Sequence, residues 1–167
     1  MINAGVLTIS DKGSKGDRED ISGEVLREGV ARLQGRTVEY ECVPDEKDII
    51  AAKLAAWADS GRVDIILTTG GTGVTGRDGT PEAVEPLLDK VLDGFGETFR
   101  ILSFKDIKTS TIQSRAIAGV ANATYIFCLP GSSGACRTAW DLLIKDQLDL
   151  RTRPCNLVQL MPRLLEK

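Results

Sequence analysis

Residues 63–69 read VDIILTT and run directly into GGTGVTGRDGTPEA. An apolar run this short cannot span a bilayer and is expected as a fully buried central strand of a parallel sheet. Strands buried on both faces need helices above and below them, so this one segment points to an α/β chain.

The rest of the sequence has the matching rhythm. Residues 4–9 (AGVLTI) read as a strand followed by the polar loop SDKGSKGDRED. A helix follows with Ile21, Val25, Leu26, Val30 and Leu33 on one face. Residues 36–43 (RTVEYECV) alternate like a strand and stop at Pro44. Asp45 then opens a helix carrying Ile50, Leu54 and Trp57, closed by Gly61. After the glycine loop, Val84, Leu87, Leu88 and Val91 predict a helix, with Thr80 as N-cap and Pro81 at the first helical position. Residues 94–106 are expected to be helical. Residues 114–120 and 124–129 are expected to pair as a hairpin across Ala-Asn-Ala. A last helix carries Trp140, Leu143, Ile144 and Leu148. The expected fold is a three-layer α/β sandwich, one domain over residues 1–167, with a mostly parallel central sheet and helices on both faces. Both tryptophans lie on apolar stripes and are expected in the core.

Composition narrows the function. The net charge of -3 gives no basic footprint for nucleic acid or an anionic membrane. The N-terminus enters strand-like sequence without a signal peptide, so a cytoplasmic location is expected. Cys42, Cys128, Cys136 and Cys155 show no CxxC spacing and are read as reduced, mostly buried thiols. The chain contains no histidine, which removes Ser-His-Asp, Cys-His and His-zinc chemistry. Carboxylates, Lys/Arg, hydroxyls, backbone amides or a bound metal must do any chemistry.

Loops at the carboxyl ends of parallel strands are where such sheets bind ligands. Four are available: Ser10-Asp11, Pro44-Asp45, residues 69–80, and residues 130–134. Gly71, Gly73 and Gly76 satisfy G-x-G-x-x-G, but Gly79 and Pro81 delay the helix that a dinucleotide site needs inside the motif. A Walker A lysine is absent. The loop remains a candidate anion cradle, with the hydroxyls of Thr69 and Thr72 as further donors, against the alternative of a flexible connector. Asp78 beside such a cradle implies a cation, and Mg²⁺ takes one or two carboxylates plus phosphate oxygens and water. Asp45 is the natural second carboxylate. Each acid also has a plain reading, Asp45 as a helix N-cap and Asp78 as a turn former. The Pro130-Gly131-Ser132-Ser133 turn offers donors for a second anion or a polar ring, or is an ordinary strand-to-helix turn.

TTGGTG followed by RDGTPEA, then DGFGETFR, QSRAIAGV and LPGSSGACRTAW, resembles the MogA/MoaB family of molybdenum cofactor biosynthesis, with the gephyrin G domain as a relative. The likeness runs from Thr8-Ile9-Ser10-Asp11 to Arg153-Pro154-Cys155-Asn156. It implies a molybdopterin adenylyltransferase, in which Mg-ATP places AMP on the terminal phosphate of molybdopterin and pyrophosphate leaves. By the same resemblance Asp45 and Asp78 are the catalytic acids, and the reading of the residues adds that they hold Mg²⁺. Gly70, Gly71, Thr72 and Gly73, with Thr69 and Thr80, hold nucleotide phosphates. Ser10, Asp11, Pro130, Gly131 and Ser132 form the pterin pocket. A homotrimer or larger assembly is implied, with handover to a molybdenum-inserting protein. The stretch TSTIQSRAIAGVAN is closer to the MoaB branch, some bacterial members of which have lost the acids and the activity. Because Asp45, Asp78, Thr80 and Pro81 occur together here, an active enzyme is expected. The alternatives are a non-catalytic molybdopterin carrier and a nicotinamide-dependent oxidoreductase.

Overall fold

A computed structural model of the chain describes residues 1–166. Its strands are β1 (Asn3–Ile9), β2 (Arg36–Val43), β3 (Ile65–Thr69), β4 (Lys90–Val91), β5 (Ile117–Ala121) and β6 (Thr124–Leu129). They form one six-stranded sheet in the order β2-β1-β3-β6-β5-β4. β1 pairs in parallel with β2 and β3, and β3 with β6, whereas β5 runs antiparallel to both β6 and β4. The helices are α1 (Ile21–Arg32), α2 (Lys47–Asp59), α3 (Thr80–Val84), α4 (Asp93–Ile107), α5 (Ser133–Ala139) and α6 (Lys145–Gln147).

β3 lies inside the sheet and is buried along its whole length, as its apolar run predicts. Successive strand side chains point to opposite faces. Ile65 and Leu67 therefore join α1, α4 and α5 in one apolar cluster, while Ile66 joins α2 and α3 in the other. Each such Ile or Leu contributes roughly 1.5–3 kcal/mol by leaving water. The result is the expected three-layer α/β sandwich. Trp57 and Trp140 are both core residues, in opposite layers.

Four local features differ from the sequence reading. The helix expected through Val91 ends at Val84, and Glu85–Leu87 tighten into a 3-10 turn containing Pro86. Proline has no N–H to continue the ladder and its ring collides with the preceding turn. Val91 instead sits in β4 and is half exposed. The N-cap positions belong to Glu46 and Gly79, not to Asp45 and Thr80. The last helix is interrupted at Trp140–Ile144 by a π-turn between α5 and α6. Finally, Cys128 and Cys136 are buried, but Cys42 is only half-buried and Cys155 is exposed; all four are free thiols. Near the C-terminus, Leu157 and Met161 pack against the core while Leu160 is exposed.

The β5–β6 hairpin closes on Asn122 and Ala123, both with positive φ, the backbone required by a two-residue hairpin turn. β1 has β2 on one side and β3 on the other, so the chain winds away from it in both directions. Such a reversal opens a crevice beyond the carboxyl ends of the strands.

Candidate functional site

The crevice is a cleft of about 800 Å³. Its walls come from the ends of β1, β2, β3 and β6, closed on one side by Phe99 and Ser103 of α4. Among the residues singled out from sequence, Ser10, Asp11, Asp45, Thr69, Gly70, Gly71, Thr72, Gly73, Asp78, Pro130, Gly131 and Ser132 all line it. Thr80 does not. It is fully buried, and its hydroxyl donates to the Gly70 carbonyl at 2.9 Å, so it braces the loop from behind. The Thr69 hydroxyl is likewise committed, donating to the Pro130 carbonyl at 2.9 Å and tying β3 to the turn after β6.

The glycines answer first to the protein's own packing. Gly70 has φ +113° and a Cβ there would lie 2.1 Å from the Ile9 carbonyl oxygen. At Gly71, φ +68°, a Cβ would meet the Thr80 hydroxyl at 2.2 Å and Asp45 Oδ2 at 2.9 Å. Any L side chain at either place is blocked sterically and strained in backbone. This tight folding leaves donors facing outward. Among the described residues, the amides of Gly71 and Thr72 have no acceptor, nor do those of Gly131 and Ser132. Successive free amides of this kind form a concavity suited to an anion.

Two carboxylates meet at this loop. Asp45 Oδ1 accepts from the amide of Gly79, the residue after Asp78, at 3.2 Å. The helix-capping alternative for Asp45 is therefore not realised: its side chain reaches across to the glycine loop. Burial pushes the Asp45 carboxyl above the usual range; the Gly79 amide opposes this, and the charges of Asp78 and Asp11 raise it further. Asp78 keeps its turn-forming role, because Oδ2 accepts from the Thr75 amide at 2.9 Å and hydroxyl at 2.7 Å. Burial pushes Asp78 up, but the Thr75 donors, the nearby Gly73 amide and the charge of Arg115 outweigh it and leave it low. Neither Thr75 bond uses Oδ1, and no donor among the described residues reaches Asp45 Oδ2.

Carboxylate oxygens without a protein donor are of the hard type that a divalent cation takes. No cluster of three or more metal-ligating side chains occurs among the described residues. Here the chain could supply only part of a coordination sphere, and phosphate and water would have to complete it, the arrangement Mg²⁺ prefers.

Several residues at the site escape sequence reading. Arg77 grips Asp11 with two bonds, at 2.8 and 3.2 Å, and Glu46 with a third at 2.9 Å. The Arg77 bond, with the Asp45 amide bond behind it, holds Asp11 below the usual carboxylate range. Asp20, also in the cleft wall, accepts from the Gly23 amide at 2.8 Å, the Thr8 hydroxyl at 2.5 Å and Tyr40 at 2.7 Å. Its signal was an Asp directly before the apolar stripe of α1, the signature of an N-cap. Arg115 stands just before β5, whose start lies beside the carboxyl end of β6 and so at the same edge of the sheet, and nothing in its local sequence announces its contacts.

The chain is similar to known proteins over most of its length. A family model described as "Probable molybdopterin binding domain" matches residues 5–150. The Molybdenum cofactor biosynthesis protein B of Escherichia coli is 50% identical over 151 residues, covering 90% of this chain and 88% of that protein. A Molybdopterin adenylyltransferase of Pyrococcus furiosus is 43% identical over 143 residues, with 83% of each chain covered. The crystal structure of the tungsten cofactor synthesizing protein MoaB from Pyrococcus furiosus superposes with a TM-score of 0.82 at 41% identity, covering 88% of this chain and 92% of that one.

Proposed function

This chain belongs to the molybdopterin-binding family just described, and on that premise we propose that it is a molybdopterin adenylyltransferase of molybdenum cofactor biosynthesis. It takes ATP with Mg²⁺, transfers AMP to the terminal phosphate of molybdopterin, and releases pyrophosphate. The observation that carries this reading is the Asp45–Gly79 bond, which gathers two carboxylates at one glycine loop beside unpaired amides. A carrier needs the amides but has no use for paired acids.

An oxygen of the pterin phosphate attacks the α-phosphorus of ATP. The bond from that phosphorus to the bridging oxygen breaks, and pyrophosphate carries the electron pair away. The Gly71 and Thr72 amides hold the nucleotide phosphates and meet the charge that builds on their oxygens. The Gly131-Ser132 turn holds the pterin phosphate against them, so that attack becomes a matter of position. A bound Mg²⁺, held by Asp45 and Asp78, would supply neutralisation of phosphate charge. No general base is required, because the attacking phosphate is already ionised at neutral pH.

The site is disfavoured for a nicotinamide cofactor because α3 is only five residues long and begins after Gly71, Gly73 and Gly76, not inside that motif. Among close relatives, the name Molybdenum cofactor biosynthesis protein B recurs, which keeps the carrier reading as the alternative. Purified protein given molybdopterin and Mg-ATP is expected to release pyrophosphate. Asp78→Asn should lower that rate by at least about 100-fold, the size of losing a key charge-stabilising group. Release at the unmodified rate rejects the role of Asp78, and no release from the wild type supports the carrier.

A further inference from the structure

The glycine loop is fastened by a residue that joins neither the anion cradle nor the carboxylate pair. Arg115 precedes β5, at the far end of the crossover from the loop it touches. Its amide donates to the Thr72 carbonyl at 3.0 Å. Its Nε donates to the Gly73 carbonyl at 2.7 Å and its Nη2 to the Asp78 carbonyl at 2.9 Å. Nη1 pairs with Glu82 of α3. One rigid guanidinium therefore holds both ends of the segment 73–78, while Asp78 and Thr75 close it from inside.

We propose that Arg115 is the positioning residue of the site: its fork sets the backbone at Gly73 and Asp78 and so fixes where the Asp78 carboxylate stands relative to Asp45. The chemistry suits arginine alone. A planar fork with donors at fixed angles can bridge two carbonyls at once, whereas a lysine ammonium offers a point charge on a flexible stem. The side chain is 33% exposed, and its carbonyl bonds set its geometry. Groups that orient a metal-binding carboxylate typically change metal affinity by about 10–100-fold when removed.

This inference rests on the metal–nucleotide reading above, and its test separates the two. Manganese, which is paramagnetic, stands in for magnesium. Its binding with α,β-methylene-ATP, which cannot release pyrophosphate, is followed by electron paramagnetic resonance. The wild type, Arg115→Lys, Arg115→Gln and Glu82→Gln are compared at a temperature where circular dichroism shows each folded. Arg115→Lys and Arg115→Gln should bind the manganese–nucleotide pair about 10–100-fold more weakly. Glu82→Gln keeps both carbonyl bonds and should stay within about fivefold of wild type. Unchanged binding in Arg115→Lys and Arg115→Gln overturns the proposal. So does a loss that tracks only the fraction unfolded, since that is the mark of a plain structural strut. If the wild type binds no manganese–nucleotide pair, the reading of the site fails and this inference falls with it.

Discussion

Replacing Asp45 by Asn removes a charge from between Asp11 and Asp78 while leaving an oxygen for the Gly79 amide. The folded state raises the Asp45 pKa, so folding works against its ionised form. For a carboxyl raised in this way, the destabilisation is absent below the unfolded pKa, where the group is neutral in both states. It grows as pH rises through the folded value and is complete above it. Asp45→Asn should therefore melt on the order of 1–3 °C higher than wild type at pH 7, with the two curves merging at low pH. A lower melting temperature at pH 7 would mean that the carboxylate is held for structure. Gly70 makes the opposite case. Gly70→Ala must fit a Cβ against the Ile9 carbonyl at an unfavourable φ, a cost of about 2–3 kcal/mol or more. Its melting temperature should fall on the order of 4–12 °C by calorimetry. At this scale the sequence was legible in residue type but not in reason: the glycines were visible, but that Ile9, Thr80 and Asp45 demand them was not, because those neighbours are remote in sequence.

The elements show the same division between pattern and contact. β3 was plain in VDIIL and α1 in its apolar stripe, because burial on two faces or one imposes periods that one sequence records. The break at Pro86 was also written in the sequence, but the Val84–Val91 stripe conceals it: a proline inside an apolar pattern outweighs the pattern. The packing of α1 on the π-turn that follows α5 was not legible at all. There Gly29 lets the ring of Trp140 lie so close that a Cβ would approach it to 2.6 Å. Gly29→Ala should cost about 1–3 kcal/mol by overpacking. Trp140→Phe should cost something by leaving a gap, and the smaller ring should make room for the added methyl. The double variant is then expected to be more stable than the two single losses summed, by roughly 0.5 kcal/mol or more, measured by denaturant unfolding. Strict additivity would show that the two residues do not share this contact.

Taken as a whole, the molecule lacks any imidazole, and that fixes how its reaction must respond to pH. Cys128 is pushed up to about 12 and Cys136 to about 11, both chiefly by burial, and Cys42 is raised as well. Asp78 and Asp11 are lowered, so both are ionised well below neutrality. Asp45, in the same cleft, is raised, chiefly by burial. The substrate titrates as well, because a phosphate monoester loses its second proton near pH 6. The rate of pyrophosphate release at saturating Mg-ATP should therefore rise once, centred at about pH 6, and then stay level to about pH 8. A chain that used its own side chain as general base or acid would instead show a bell, each limb reporting one group. A descending limb near neutrality would thus require an acid that this cleft does not contain and would overturn the base-free mechanism. A single rise that moves with the pKa of the attacking phosphate, tested with a phosphonate in its place, would tie the ionisation to the substrate. That behaviour follows from a site without imidazole, built of carboxylates, backbone amides and arginine forks.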